Sequence, residues 1–271
     1  MNQAWKLHIW GTRGSMPVSC ADYLEYGGNT SCVSVDCGRN YVVFDAGSGL
    51  FLLGGCLPPG SRVDLFCGHA HLDHLMGLPV FRLMHDPSAE LHLYGEPRKG
   101  VSFRQQLETL IGPPYWPLEL SDFRAHITVH DIGPGQSIPL PDGKTVRTMR
   151  ACHPNLGLLF RLDDGTRSVV YTVDCEITAP LQERLADFAQ GADVLVWDAT
   201  FTPEELPERR GWGHSSWAEG AELRRVAQAK LAIMMHYANG YTDDFLTGQE
   251  RLAAAHDPAV RFAREGMEVT I

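Results

Sequence analysis

The sequence predicts an α+β protein built from two mixed β-sheets packed face to face with helices outside. Strand-like runs fall into two blocks, and each block is accompanied by helical segments. A sheet buried on one face against another sheet still has a second face to cover, and helices cover it. At 271 residues, 44% of them hydrophobic, the chain can bury a full core. No break in composition divides it, so residues 1–271 are expected to form a single domain.

The first block consists of residues 5–10, 32–36, 41–45 and 63–67. These are short apolar or alternating runs separated by Gly, Asn and Ser turns. Residues 75–84 have helix-compatible apolar spacing interrupted by Pro79. A strand at 90–94 and a helix at 101–111 follow, the latter stopped by Gly112-Pro113-Pro114. The second block has strands at 125–130, 145–152, 157–162 and 168–173. It continues with a helix at 179–189, a strand at 193–197, a helix at 215–228, a strand at 231–235 and a helix at 243–255. Ser215 is placed to N-cap the helix that follows it. No tandem repeat and no low-complexity tract is present.

Charge and composition narrow the function. The formal net charge of −10 argues against a long nucleic-acid track, which needs clustered Lys and Arg, and favours a small or short substrate. No apolar run approaches the ~20 residues of a membrane span, and residues 1–8 lack the apolar region of a signal peptide, so the cytoplasm is the expected location and no membrane partner is expected. The seven cysteines include no Cys-x-x-Cys pair, so neither a disulfide framework nor a zinc ribbon is indicated. Cys67, Cys152 and Cys175 are expected to pack as small buried hydrophobes.

The densest chemistry lies just after the run Val63-Asp64-Leu65-Phe66-Cys67. His69, His71, Asp73 and His74 place three imidazoles and a carboxylate in one short loop. Imidazole and carboxylate are the usual nitrogen and oxygen donors for zinc, and they also suit iron and manganese. Alternate residues of an extended segment point the same way, so His69 and His71 can share one ion, while Asp73 and His74 face a different direction. Four further donors each end a strand-like run: His153, Asp174, Asp198 and His236. Recurrence at four strand ends weighs against an ordinary structural role for each.

With these residues in hand, the chain resembles the metallo-β-lactamase fold superfamily. The likeness rests on His-x-His-x-Asp-His at 69–74, on His153, Asp174 and His236 in the superfamily's order, and on Phe44-Asp45-Ala46-Gly47 before them. It implies an αββα sandwich and two divalent metal ions. By this resemblance His69, His71 and His153 hold the first ion, Asp73, His74 and His236 the second, and Asp174 bridges them. The closer likeness is to the phosphodiesterase branch that includes tRNase Z and cyclic-nucleotide phosphodiesterases. It is carried by Gly77-Leu78-Pro79, by Asp198-Ala199-Thr200-Phe201 and by Gly213-His214-Ser215-Ser216. It implies that Asp198 orients His214 as the acid that protonates the leaving group, a pairing that also makes physical sense, because a carboxylate fixes an imidazole's tautomer and raises its pKa. Trp10-Gly11-Thr12-Arg13-Gly14-Ser15 and Tyr26-Gly27-Gly28-Asn29-Thr30-Ser31-Cys32 are similar to segments of bacterial members. Arg13 and Asn29 are therefore candidate phosphate contacts, with ordinary turn chemistry as the alternative, and Trp116, beside Tyr115, is a candidate wall for a base or else a hydrophobic plug over the end of the preceding helix.

The expected activity is that of a dinuclear hydrolase in which Asp73, Asp198 and His214 are catalytic and a metal-bridging hydroxide attacks a small or short phosphodiester, such as a cyclic nucleotide. Zinc is the first expectation for the metal, with manganese or iron next. The expected partner is a small-molecule phosphodiester, with long nucleic acid disfavoured by the acidic chain and by the lack of a tRNA-binding arm. The alternatives are hydrolysis of a carbon ester, thioester, lactone or lactam at the same metals, and a non-catalytic metal-stabilised sensor. Oligomeric state is left open, a homodimer included.

Overall fold

The computed structural model describes residues 4–38 and 40–271, so the start of the chain at Met1, Asn2 and Gln3 lies outside the described residues. The chain divides into two compact units. One comprises Met1–Gly11, Asn29–Gly133 and Gly266–Ile271, and the other Thr12–Gly28 and Pro134–Glu265. Among the described residues each unit carries one seven-stranded mixed sheet.

The first unit contains β1 (Lys6–Gly11), β2 (Cys32–Asp36), β3 (Tyr41–Phe44), β4 (Arg62–Phe66), β5 (Glu90–Gly95), β6 (His126–Asp131) and the closing strand β14 (Glu268–Thr270). Their order is β14-β1-β2-β3-β4-β5-β6, antiparallel as far as β3 and parallel from β3 to β6. Two helices belong to it, α1 (Leu50–Cys56) and α2 (Phe103–Leu110). The core of this unit gathers Val43, Val63, Leu65, Leu91 and Leu93 from the strands with Leu53, Phe81, Phe103 and Leu107. Alternate residues of β4 and β5 point into it, as the period of two requires.

The second unit contains β7 (Ser137–Pro139), β8 (Thr145–Arg150), β9 (Leu158–Asp163), β10 (Ser168–Thr172), β11 (Val194–Asp198), β12 (Leu231–Met235) and β13 (Val260–Phe262), neighbours in that order. Strands β7 to β10 are antiparallel and β10 to β13 parallel. Helices α3 (Ala179–Ala189), α4 (Trp217–Ala227) and α5 (Asp243–His256) provide the connections. Parallel neighbours cannot be joined by a hairpin, which is why helices separate β10, β11, β12 and β13 in sequence. The core of this unit is built on Leu195, Trp197, Ala232, Met234, Leu185 and Leu223. Trp197 is fully buried and donates its indole N–H to the carbonyl of Ser216 at 2.9 Å.

Several local expectations are revised. Residues 75–84 form no α-helix but short 3-10 turns at Leu78–Val80 and Arg82–His85, because Pro79 lacks the donor a continuing helix needs. Helix α1 was invisible to spacing, since Gly54 and Gly55 are poor helix formers. Gly54 is tolerated because a Cβ there would sit 3.0 Å from the Phe81 ring. The N-cap of α4 is Ser216, in a capping box with Glu219, and not Ser215, whose hydroxyl donates to the carbonyl of Cys175 at 2.6 Å.

At Gly220 helix α4 lies close against its sheet, for a Cβ there would sit 2.3 Å from Cδ1 of Trp197. Gly220→Ala is expected to destabilise the protein by about 1–3 kcal/mol through overpacking. In urea the midpoint should fall while the slope holds. An unchanged midpoint would mean that Trp197 yields freely.

Candidate metal centre

In the first unit, β3 and β4 run parallel, so the segments leaving them emerge at the same sheet edge. Asp45 follows β3, and the loop bearing His69, His71, Asp73 and His74 follows β4. The four loop donors converge. The rings of His69 and His71 have centroids 4.1 Å apart, those of His69 and His74 4.4 Å apart, and His74 Nε2 lies 3.2 Å from Asp73 Oδ2. Asp45 was assigned no role from the sequence, yet it organises this loop. Its Oδ2 is 2.7 Å from His74 Nδ1, and its Oδ1 accepts the backbone N–H of Gly68 at 2.7 Å. A proton on Nδ1 is held there, so Nε2 presents a lone pair to an ion. Both partners are only 1% exposed, so bulk water does not compete for this bond. The signal that would have found Asp45 was its place at the end of a buried strand.

In the second unit, β8, β10, β11 and β12 share one direction, and His153, Asp174, Asp198 and His236 lie at or just beyond their C-terminal ends. Asp174 is the hub. Its Oδ1 is 2.9 Å from His236 Nε2 and 3.6 Å from His214 Nδ1, and its Oδ2 is 3.7 Å from His153 Nε2. Asp174, Asp198, His214 and His236 bring ligand-type atoms within 4.8 Å of one another. His153 Nδ1 donates to the carbonyl of Gly213 at 3.0 Å, which points Nε2 toward the carboxylate. Thr200, also missed in the sequence, performs the same service for His236. Its hydroxyl lies 3.0 Å from His236 Nδ1 and 2.8 Å from Asp198 Oδ1, a relay in which the imidazole N–H donates to the hydroxyl and the hydroxyl to the carboxylate.

Asp198 is fully buried and accepts from the backbone N–H groups of Asp174 (3.0 Å) and Thr200 (3.0 Å) while its Oδ2 meets His214 Nδ1 at 2.8 Å. It therefore shapes the backbone and also pairs with the imidazole. Burial opposes its charge, but the His214 cation and hydrogen bond hold its pKa below the ordinary carboxylate value. For His214, burial pulls the pKa down, and the charge and hydrogen bond of Asp198 with the charge of Asp174 outweigh it, so the pKa is raised. Burial lowers that of His153, which keeps it neutral and ligand-competent.

Asp45, Asp174 and His236 all have positive φ, at 60°, 58° and 65°, a left-handed conformation that side chains other than Gly rarely adopt. Each lies just beyond the end of its strand, where the chain turns out of the sheet. Gly213 has φ 85°, and a Cβ on it would lie 2.3 Å from His153 Nδ1. Gly213→Ala is thus expected to swing His153 and weaken metal binding by about 10- to 100-fold, as loss of an orienting contact does. Competition with a chromogenic chelator measures this, and an unchanged affinity would dismiss the Gly213 contact as an orienting one.

Each candidate substrate contact makes structural contacts of its own. Arg13 is fully buried, with Nε donating to the carbonyl of Gly27 at 2.7 Å and Nη1 to that of Tyr241 at 2.6 Å, and its guanidinium lies 4.8 Å from the Tyr23 ring centroid. It braces the loops of the second unit and is not presented to a phosphate. Its neighbour Gly14 leaves room for His236, for a Cβ there would sit 2.5 Å from Cε1 of that ring. Asn29 accepts the Ser48 hydroxyl at 2.9 Å and so stiffens the turn after Asp45. Trp116 packs against the core of the first unit.

Neutral imidazoles whose second nitrogens are held by carboxylate, hydroxyl or carbonyl partners, together with carboxylates, fit divalent metal ions such as zinc, manganese or iron. The family model described as the beta-lactamase superfamily domain matches residues 40–237. Ribonuclease Z of Natronomonas pharaonis is 25% identical over 284 residues, covering 86% of this chain and 87% of that protein. Ribonuclease Z of Thermoplasma volcanium is 39% identical over 221 residues, covering 66% and 71%. Among solved structures, the metallo-beta-lactamase fold protein YhfI from Bacillus subtilis superposes with a TM-score of 0.77 at 20% identity over 99% of both chains, which establishes the fold class. Relatives that are ribonucleases overturn the expectation of a small-molecule phosphodiester partner with long nucleic acid unlikely. Net charge sums over the whole surface, whereas polyanion binding depends on local cations, bound metal included, so a charge of −10 excludes nothing of this kind.

Proposed function

Since the chain belongs to the beta-lactamase superfamily, we propose that it is a metal-dependent phosphodiesterase that cleaves RNA. The observation that carries this is the Asp198–His214 pair, with its 2.8 Å contact, beside the carboxylate hub of Asp174. Kinship with ribonuclease Z over most of both chains supports the substrate class. Two zinc ions are the proposed cofactors, with manganese or iron as substitutes. His69, His71 and His153 would hold one, Asp73, His74 and His236 the other, and Asp174 would bridge. Such ions would supply Lewis-acid polarisation of the phosphodiester and neutralise charge on its oxygens. The cytoplasm is the proposed site of action; no helix among the described residues is long and apolar enough to cross a membrane.

The chain's own residues then divide the work. Asp198 fixes the proton on His214 Nδ1, so the proton on Nε2 is the one delivered to the departing ribose oxygen. The raised pKa keeps that proton in place near neutrality. Thr200 and Asp45 hold His236 and His74 in the tautomers a metal needs. The test is incubation of zinc- or manganese-loaded protein with a structured RNA bearing a 3′ single-stranded tail, a precursor tRNA being the first choice. Discrete cleavage that a chelator abolishes is the expected result. Fully metal-loaded protein that cleaves no RNA but turns over a thioester or a lactam would overturn the proposal.

A further inference from the structure

We propose, resting on the RNA phosphodiesterase function above, that an apolar pocket in the first unit seats a nucleobase of the RNA next to the cleaved phosphate. The pocket has a volume of about 520 Å³, within the range of single small-ligand sites. Ala70, Leu72 and Leu75 form one wall and Val101, Leu110 and Tyr115 the other. The first wall is the ligand loop itself. His71 is extended (φ −70°, ψ 153°) before the 3-10 turn at Leu72–His74, so the loop sends His69 and His71 to one side and Ala70 and Leu72 to the other. An occupant of the pocket therefore lies against the backbone that carries the metal donors.

Two features select a base over an acyl chain or a peptide side chain. Tyr115 is 75% exposed, yet it is anchored, because its backbone N–H and that of Trp116 donate to the carbonyl of Gly112 at 2.9 and 2.8 Å while Trp116 packs against the core. An exposed ring on an anchored turn is a stacking platform, and every base has a π-face to lay on it. Gln106 also lines the pocket. Its Nε2 donates to the carbonyls of Glu96 (2.9 Å) and Val101 (3.2 Å), which fixes the amide, and among the described residues no donor meets its Oε1. An exocyclic amino group at the edge of a base supplies that donor, whereas an acyl chain has none to give.

The experiment uses the metal-loaded full chain and a pair of matched RNAs, one intact and one abasic at the nucleotide beside the cleaved phosphate. Wild type is expected to prefer the intact RNA by about 5- to 100-fold in kcat/KM, mostly through KM. Tyr115→Ala and Leu72→Asp, with metal content checked at wild-type level, are expected to bring that ratio close to one. A 4-thiouridine placed at the same nucleotide should crosslink to residues 101–115 in wild type and not in Leu72→Asp. Equal cleavage of both RNAs by wild type sinks the pocket and leaves the ribonuclease function standing. Crosslinking in the pocket without RNA cleavage does the reverse. A preference for the intact RNA that survives both substitutions also overturns the proposal.

Discussion

Asp174→Asn is expected to lower turnover by about 10³-fold or more and to release metal during dialysis. One carboxylate faces His236, His214 and His153 at 2.9, 3.6 and 3.7 Å, so neutralising it removes the anionic centre of the whole cluster. Loss of a single preorganised electrostatic partner already costs about 10²–10³ in rate, and a metal-holding carboxylate should cost more. Elemental analysis after dialysis and steady-state turnover measure the two effects together. Full metal occupancy with near-normal turnover would remove Asp174 from the ligand set. The substitution should not unfold the protein, because the backbone N–H of Asp174 still donates to Asp198.

The second large effect is expected at His214. His214→Ala should cut turnover of RNA by about 10²–10⁴-fold, the usual worth of a general acid, while metal content stays at the wild-type level. A phosphodiester with a p-nitrophenolate leaving group needs little proton donation, so its hydrolysis should suffer much less. That contrast separates proton delivery from mere positioning. If both substrates lose equally, or if metal is lost, His214 is a positioning or ligand residue and the acid must be sought elsewhere. His214 is a cleaner target than Asp198, whose carboxylate also accepts from the backbone N–H groups of Asp174, Cys175 and Thr200.

Most strands, and their ligand-bearing ends, were legible in the sequence because β-branched and apolar runs bounded by Gly or polar turns report buried strands directly; the division into blocks was not, for the strand read at 125–130 as the start of the second block is β6, which pairs with β5 at the edge of the first sheet. Helix α1 was not, since it carries two glycines, one of which, Gly54, packs against Phe81, a contact no local pattern encodes. The short strands β7, β13 and β14, three residues each, are too brief for periodicity to register and exist through their pairing with β8, β12 and β1. At the site, residues that present donor atoms were readable from side-chain chemistry and position. Residues that hold those donors were not: Asp45, Thr200 and Gly213 act through hydrogen bonds or close approach across 29, 36 and 60 positions of chain. Arg13 misled for a related reason. A guanidinium in a glycine-bearing turn looks like a phosphate contact, but the carbonyls of Gly27 and Tyr241 claim it. Net charge misled more broadly, because it carries no information about where charges sit.

The left-handed backbone at Asp45, Asp174 and His236 bears on how such a chain would change over evolutionary time. Each of these positions costs on the order of 1–3 kcal/mol of conformational energy that glycine would not incur. Selection for activity alone keeps a charged or imidazole side chain there. A descendant released from that selection would gain stability by drifting to Gly or Asn at 45, 174 and 236 while its sheets stayed intact. Gly or Asn at these positions in a related chain would therefore mark a site no longer under that selection, even where the sheets are unchanged.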